Sequence, residues 1–478
     1  MERGISEETL CEQLACYFLQ FTAIGNYWGQ PVYLGGTDEA GKTEVNPLSY
    51  VFLDVYDRMG ILNPKVQIKY NPRTTPADFT EKVLDMIRRG HNGLVLVSED
   101  HIHKSLRYNG VPEEYIVHAD VKGCYEFIVH GGADNEDQQL NLLKPLEFAL
   151  HGGYDAMSGE LVGLECSVDY PTFDALMAEY KRQTRYIIEE SMRLVNRFEQ
   201  YMSYMNPQPL QTATFPYTLA TAKDINSGGG ITNNTYMCLG AIGTVADALA
   251  AIKKYVYDRK RFTLQELIEI LDCNFEGYGD VYLLLNNDPD KYGNNRELPD
   301  KLAVEVVSFA TGCINGKPNA PARGGWWGCS THIARGIYNH GKHTAASADG
   351  RLEGEELSKN LTGTLGKNRS GVTAAVLSAT KFDAVEIQLN PCLDAAFSKS
   401  AVKGNEGLKA MHSIVDTYFA LGGGVIQMNL VSAEEMRKAQ VHPEQYKDLQ
   451  IRVSGWNVHF NDINKEEQDG FIRQAENA

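Results

Sequence analysis

The segment Gly123-Cys124-Tyr125-Glu126 places a thiol and a carboxylate two residues apart, just after an apolar stretch. A cysteine there can act as a nucleophile, and the acid can move a proton. Alone the segment is a weak signal. It is equally compatible with a core thiol beside a surface acid, or with a partial metal site completed by His130. One Cys, one Glu and one His are not a spaced ligand set. The nine cysteines are scattered and include no CxxC pair, so neither zinc-finger spacing nor a thioredoxin-like motif is present. Reduced thiols in a cytoplasmic protein are the simplest expectation. Ser227-Gly228-Gly229-Gly230 and Gly422-Gly423-Gly424 lack both GxGxxG spacing and a Walker lysine, which favours plain loops over phosphate cradles.

A second segment changes the weight of the first. Residues Arg452-Val453-Ser454-Gly455-Trp456-Asn457-Val458-His459-Phe460 closely resemble the RVSGYxxxF signature of the glycyl radical enzymes, the family of pyruvate formate-lyase, the radical dehydratases and the arylacetate decarboxylases. The resemblance spans nearly the whole chain. Ala439-Gln440 followed by Pro443-Glu444, Tyr446 and Leu449 resembles the run that leads into the family's radical loop. ASADGRLEGEEL (346–357), GTLGKNRSGVTAAVLSATKF (363–382), ADALAAIKK (246–254) and FTLQELIEIL (262–271) are similar to further family segments. So are Lys291-Tyr292-Gly293-Asn294-Asn295, and Gly35-Gly36 with Asn46-Pro47-Leu48-Ser49-Tyr50. In this register Gly123-Cys124-Tyr125-Glu126 falls on the family's thiyl loop, GCxE.

The resemblance implies that Gly455 stores an organic radical, that Cys124 relays it to the substrate, and that Glu126 works as general base or acid. The only cofactor it implies is the protein-based glycyl radical, generated by a separate radical S-adenosylmethionine iron-sulfur activase. A backbone radical suits glycine, whose α-carbon carries no Cβ and can flatten into conjugation with both flanking amides. The residue before Cys124 is Gly123 and not a second cysteine, which disfavours a pyruvate formate-lyase-like formate acetyltransferase. Glu126 favours 1,2-elimination on a small hydroxylated substrate, as by a dehydratase or a C–N or C–S lyase. Radical decarboxylation of an aryl or small acid is the runner-up, and an inactive structural or binding subunit is a third reading. The chain departs from the family pattern at Tyr125 and Phe127, where small apolar residues and proline are commoner, and at Trp456, where tyrosine is usual. Near the C-terminus Arg473 is displaced by one position. His130 and Asp134 are further candidate pocket groups.

These loops need a frame. Apolar runs at 65–70, 93–98, 115–121, 384–389, 425–431 and 449–453 predict short strands, several nearly continuous in apolar character as for strands covered on both faces. Helical periodicity over 179–203 and 243–258, and cap signals at Thr263 and Ser432, interleave helices with them. The class expected is α/β. The resemblance specifies the C-terminal part of a ten-stranded α/β barrel with a catalytic cysteine loop and a C-terminal glycyl radical loop. The expected division is a partial barrel domain over 1–335, with its cysteine loop near 122–127, and a glycine radical domain over 336–478. Family members are considerably longer than 478 residues. A truncated chain, one subunit of a split enzyme whose N-terminal half is separate, or a homodimer of this chain are the assemblies expected. The formal net charge of −17 argues against nucleic acid or an anionic membrane surface as partner. No apolar run approaches a membrane span.

Overall fold

The computed structural model describes residues 4–25, 29–333, 335–430 and 432–476. The strands in chain order are β1 (Pro31–Gly35), β2 (Lys65–Tyr70), β3 (Leu94–Ser98), β4 (Asp120–Lys122), β5 (Glu126–Ile128) and β6 (Asn135–Asn141). They continue as β7 (Thr235–Gly240), β8 (Trp327–Ser330), β9 (Cys392–Ala396), β10 (Val425–Asn429), β11 (Gln450–Arg452) and β12 (Asn457–His459). The chain divides into two compact units. The first takes the residues up to Ile128, Gly371–Val376 and those from Cys392 on; the second takes Val129–Ser370 and Leu377–Pro391.

The first unit is built on a five-stranded sheet in the order β1-β2-β3-β10-β9, parallel except where β10 meets β3. Its strands present different chemistry to their two sides. On β2, Val66, Ile68 and Tyr70 alternate with Lys65, Gln67 and Lys69, and the register sets Tyr33 beside Gln67 and Asp394 beside Gln427. Side chains alternate across a strand, so one face is apolar and the other carries buried polar groups. The helices Ala77–Arg88 and Gly404–Ala420 pack on each other in the same unit. The strand ends are tied by Glu99, which accepts from Thr37 N at 2.6 Å and from Asn71 Nδ2 at 2.8 Å. Asn46-Pro47-Leu48-Ser49 opens the helix Pro47–Met59 as a capping box: Asn46 accepts from Leu48 N and Ser49 Oγ accepts from Asn46 N.

The second unit holds a three-stranded parallel sheet, β6-β7-β8. The helix Ile242–Ile252 is buried at every residue and packs on Glu297–Ile314, which also meets the long helix Phe173–Glu199. Thr263 and Glu266 form the expected capping box, and Ser432 in the first unit caps Ala433–Val441.

Two expected strands are corrected. In 115–121, Pro112 followed by Glu113 and Glu114 starts a short helix, Glu113–Ile116, and only Asp120–Lys122 is extended. In 384–389, the Asp383 side chain accepts from Val385 N and closes a 3-10 turn; the strand begins later, at Cys392. The expected strand 425–431 ends at Asn429, and Val431 lies outside the described residues. Among the described residues no helix is long and apolar enough to cross a membrane, and no cysteine is in a disulfide.

Candidate active site

Two tight hairpins of the first unit carry the candidate residues. In the first, Lys122 on β4 pairs with Glu126 on β5, so Gly123, Cys124 and Tyr125 form the tip. Gly123 has φ +51°, which glycine adopts without strain. The place where its Cβ would go is taken by the Glu126 carboxylate, whose Cδ would lie at 3.2 Å. Glu126 folds back across the tip and Oε2 accepts from Cys124 N at 2.7 Å. A cysteine at 123 would therefore have to displace the acid, which is the physical content of the GC pair in place of two cysteines. From the sheet below, Lys65 Nζ donates to Gly123 O at 2.5 Å. Lys69 anchors the same hairpin through Asp120 at 2.9 Å.

The second hairpin joins β11 to β12, with Arg452 opposite Asn457 and Ser454-Gly455 at the turn. Val453 N donates to Trp456 O at 3.0 Å, and Gly455 has φ +80°. A Cβ on Gly455 would lie 2.5 Å from Cys124 Sγ and 2.9 Å from Cys124 Cα. The glycine is thus required twice, by its left-handed backbone and by the thiol occupying the side-chain position. Gly455 is buried, and so are Arg452, Ser454 and Trp456 around it.

Burial governs the electrostatics. It pushes the Glu126 carboxyl above the usual carboxylate range, opposed by Lys122, Lys65 and the Cys124 N–H. Lys65, fully buried, is held below the usual lysine range by its own desolvation, although Cys124 and Glu126 favour its charge. Tyr33 is raised by burial and by the nearby Asp120 and Glu126. The site therefore combines a half-buried thiol with a buried carboxyl, held above the usual carboxylate range, and a buried bare α-carbon.

The structure brings Cys124, Glu126 and Gly455 together. His130 is exposed and Asp134 is buried within the second unit, where Asp134 accepts from Thr232 Oγ1 at 2.9 Å and Asn234 N at 2.6 Å as a turn-forming group. Arg473 is exposed on the helix Lys465–Glu476. Sequence reasoning missed Lys65 and Gln427. Both had a signal: a polar residue in phase with other polar residues inside an otherwise apolar strand, KVQIKY and VIQMN.

Two family descriptions match the chain, "Pyruvate formate lyase-like" over residues 13–336 and "Glycine radical" over residues 357–461. The chain is 29% identical over 445 residues to trans-4-hydroxy-L-proline dehydratase of Clostridioides difficile, covering 92% of this chain and 56% of that protein. It is 28% identical over 459 residues to (2S)-3-sulfopropanediol dehydratase of Klebsiella oxytoca, covering 94% and 55%. The solved structure of the C. difficile hydroxyproline dehydratase with trans-4-hydroxy-L-proline bound superimposes with a TM-score of 0.92 at 27% identity, covering 99% of this chain and 62% of that one. The chain thus spans little more than half the length of the curated relatives it matches. Its fold is that of these α/β barrel enzymes.

Proposed function

Because the chain belongs to the pyruvate formate lyase-like family of glycyl radical enzymes, we propose that it serves a glycyl radical lyase that carries out 1,2-elimination on a small hydroxylated substrate. The observation that carries this reading is the contact between the two hairpins, where the Cys124 thiol fills the space a Gly455 side chain would need. Two relatives are named as dehydratases of hydroxylated molecules, which supports elimination over decarboxylation.

In this reading a radical S-adenosylmethionine activase removes one hydrogen atom from Gly455 Cα. Cys124 then gives its S–H hydrogen to Gly455, and the resulting thiyl takes a hydrogen atom from the substrate carbon that bears a hydroxyl. Glu126 accepts the proton of that hydroxyl and returns it to a neighbouring hydroxyl, which departs as water; a neighbouring ammonium group departs as the amine and a sulfonate as sulfite. The product radical regains a hydrogen atom from Cys124, and Gly455 becomes the radical again. The buried Gly455 and its close contact with Cys124 support the relay, since the short transfers need fixed geometry. We place the protein in the cytoplasm, where Cys124 stays reduced.

The test is anaerobic incubation of the protein with a radical S-adenosylmethionine activase, followed by EPR. A glycine-centred doublet that disappears in Gly455→Ala is expected. A complete absence of the doublet overturns the radical reading. Aldehyde or ketone release without carbon dioxide separates elimination from decarboxylation.

A further inference from the structure

Tyr125 stands between Cys124 and Glu126, and the proposed reaction gives it no task. Its backbone lies at φ +90°, where any side chain is strained. That conformation sends the ring inward, and Tyr125 has no exposed surface. Its hydroxyl oxygen accepts from Gly455 N at 3.2 Å and from Arg452 Nε at 2.7 Å, and its proton is donated to Gln427 Oε1. One donor and two acceptor sites are the full capacity of a phenol. Gln427 Oε1 also faces Gly455 N, at the longer distance of 3.4 Å, and Arg452 Nε at 3.3 Å. Arg452 continues the network through Nη1 to Asn92 O at 2.9 Å and Asn457 Oδ1 at 3.1 Å, which ties the two strands of the glycine hairpin together. Burial keeps the phenol in its neutral, proton-donating form.

We propose that Tyr125 is a positioning residue for the radical store, its hydroxyl fixing the plane of the Ser454–Gly455 peptide against Cys124; this rests on the radical reading of Gly455 above. A radical at an α-carbon delocalises into the flanking amides only while it is coplanar with them. The amide N–H of Gly455 is the handle by which the protein sets that plane, and Tyr125 holds it most closely. An aliphatic residue at 125 would leave that N–H with the 3.4 Å contact to Gln427 and would take the nearer acceptor away from Arg452 Nε. Phenylalanine would keep the ring beneath the Arg452 guanidinium, now 5.4 Å from the ring centre, and remove only the hydroxyl.

The experiment needs no substrate. The full chain is labelled with α-deuterated glycine and activated anaerobically in ordinary water by a radical S-adenosylmethionine activase. The radical first carries an α-deuteron. Each reversible transfer with the solvent-exchangeable Cys124 S–H replaces it by a proton, so the EPR signal changes from an unresolved line to a doublet at the rate of the Gly455–Cys124 relay. Tyr125→Phe is expected to form the glycine-centred radical and to slow this conversion about tenfold, the effect of losing one hydrogen bond. A purely packing role for the ring predicts an unchanged rate, and an unchanged rate overturns the proposal. If Tyr125→Phe shows no cooperative thermal transition, Gln427→Met tests the same amide from its other side: slower conversion supports the proposal and wild-type conversion overturns it. If the wild-type chain itself shows no glycine-centred signal, the radical reading fails; if it converts normally and Tyr125→Phe does too, only the role of Tyr125 fails.

Discussion

Arg323 in the second unit and Arg452 in the first are both deeply buried, and the two are used differently. Arg323, in the second unit, meets a charge: its Nε lies 3.1 Å from Glu199 Oε1, and neither side chain reaches solvent. Glu199 in turn accepts from Thr235 Oγ1 at 2.8 Å, and Arg323 also donates to Asn234 O at 3.3 Å. Arg452, in the first unit, donates instead to neutral oxygens, the Tyr125 hydroxyl, Gln427 Oε1, Asn92 O and Asn457 Oδ1. A buried ion pair locks a framework, because removing either partner strands the other charge. An arginine among neutral dipoles, next to backbone at positive φ on Tyr125 and Gly455, holds its neighbours in a geometry. The same side chain, equally buried, thus marks a strut in one unit and a clamp in the other. The buried carboxyls repeat the contrast. Glu126 sits at the thiol, whereas Asp247 in the second unit accepts from Tyr292 N at 2.6 Å and is pushed up to about 8 by burial.

The largest effect that could break this contrast is expected at the clamp. Gly455→Ala must place a methyl group where Cys124 Sγ sits, at a backbone angle alanine resists; the glycine-centred EPR signal should vanish, and a full-yield signal in that variant would dissolve the distinction between clamp and strut. Next comes Glu126→Gln, which should lower elimination by about 10²–10⁴-fold, the range for a lost general base. The pH dependence carries a sign. The base must be ionised, so the wild-type rate should rise with pH through a value above the usual carboxylate range, and Glu126→Gln should lose that rising limb.

Stability should show the reverse ranking. Arg323→Ala leaves Glu199 buried without its cation and should cost about 3–5 kcal/mol in urea unfolding. Arg452→Gln removes hydrogen bonds to neutral groups and should cost about 1–3 kcal/mol, while slowing the glycine–thiol exchange more than Arg323→Ala does. Equal stability losses would erase the comparison. A separate, pH-linked effect is expected at Asp247. Its folded-state value near 8 lies above that of an unfolded aspartate, so the native state holds the extra proton in between. Stability should therefore decline as pH rises from about 4 toward 8, and Asp247→Asn should flatten that slope in thermal melts without altering the radical signal.

How much was legible beforehand differs between the two hairpins. The glycine hairpin was legible through one long resemblance, because Arg452 to Phe460 matches a contiguous family signature. The cysteine hairpin was legible only through its resemblance; its own residues suit a core thiol as well as a relay. Around it, 115–121 was misjudged as one strand since Val117 to Val121 looks extended while Pro112-Glu113-Glu114 starts a helical turn just before. The polar face of the five-stranded sheet was obscured because Lys65, Gln67 and Gln427 each look like an isolated exception within an apolar run. Their common phase becomes visible once the strands are paired in register.

The sequence by itself determined the α/β class and the caps that start its helices, which are properties of local runs, and its resemblance to the glycyl radical enzymes pointed to the family and to Cys124, Glu126 and Gly455 as candidates. Tertiary structure alone decided which groups meet. Tyr125 and Gly455 are 330 positions apart and become hydrogen-bond partners only because one hairpin is anchored to the sheet by Lys65 and Lys69 and the other by Asn429 and Asn92. The same fold turned Tyr125 from an unexplained departure into a hydrogen-bond partner of Gly455 N. Such contacts depend on strand register and hairpin placement, which spacing along a chain does not encode one residue at a time.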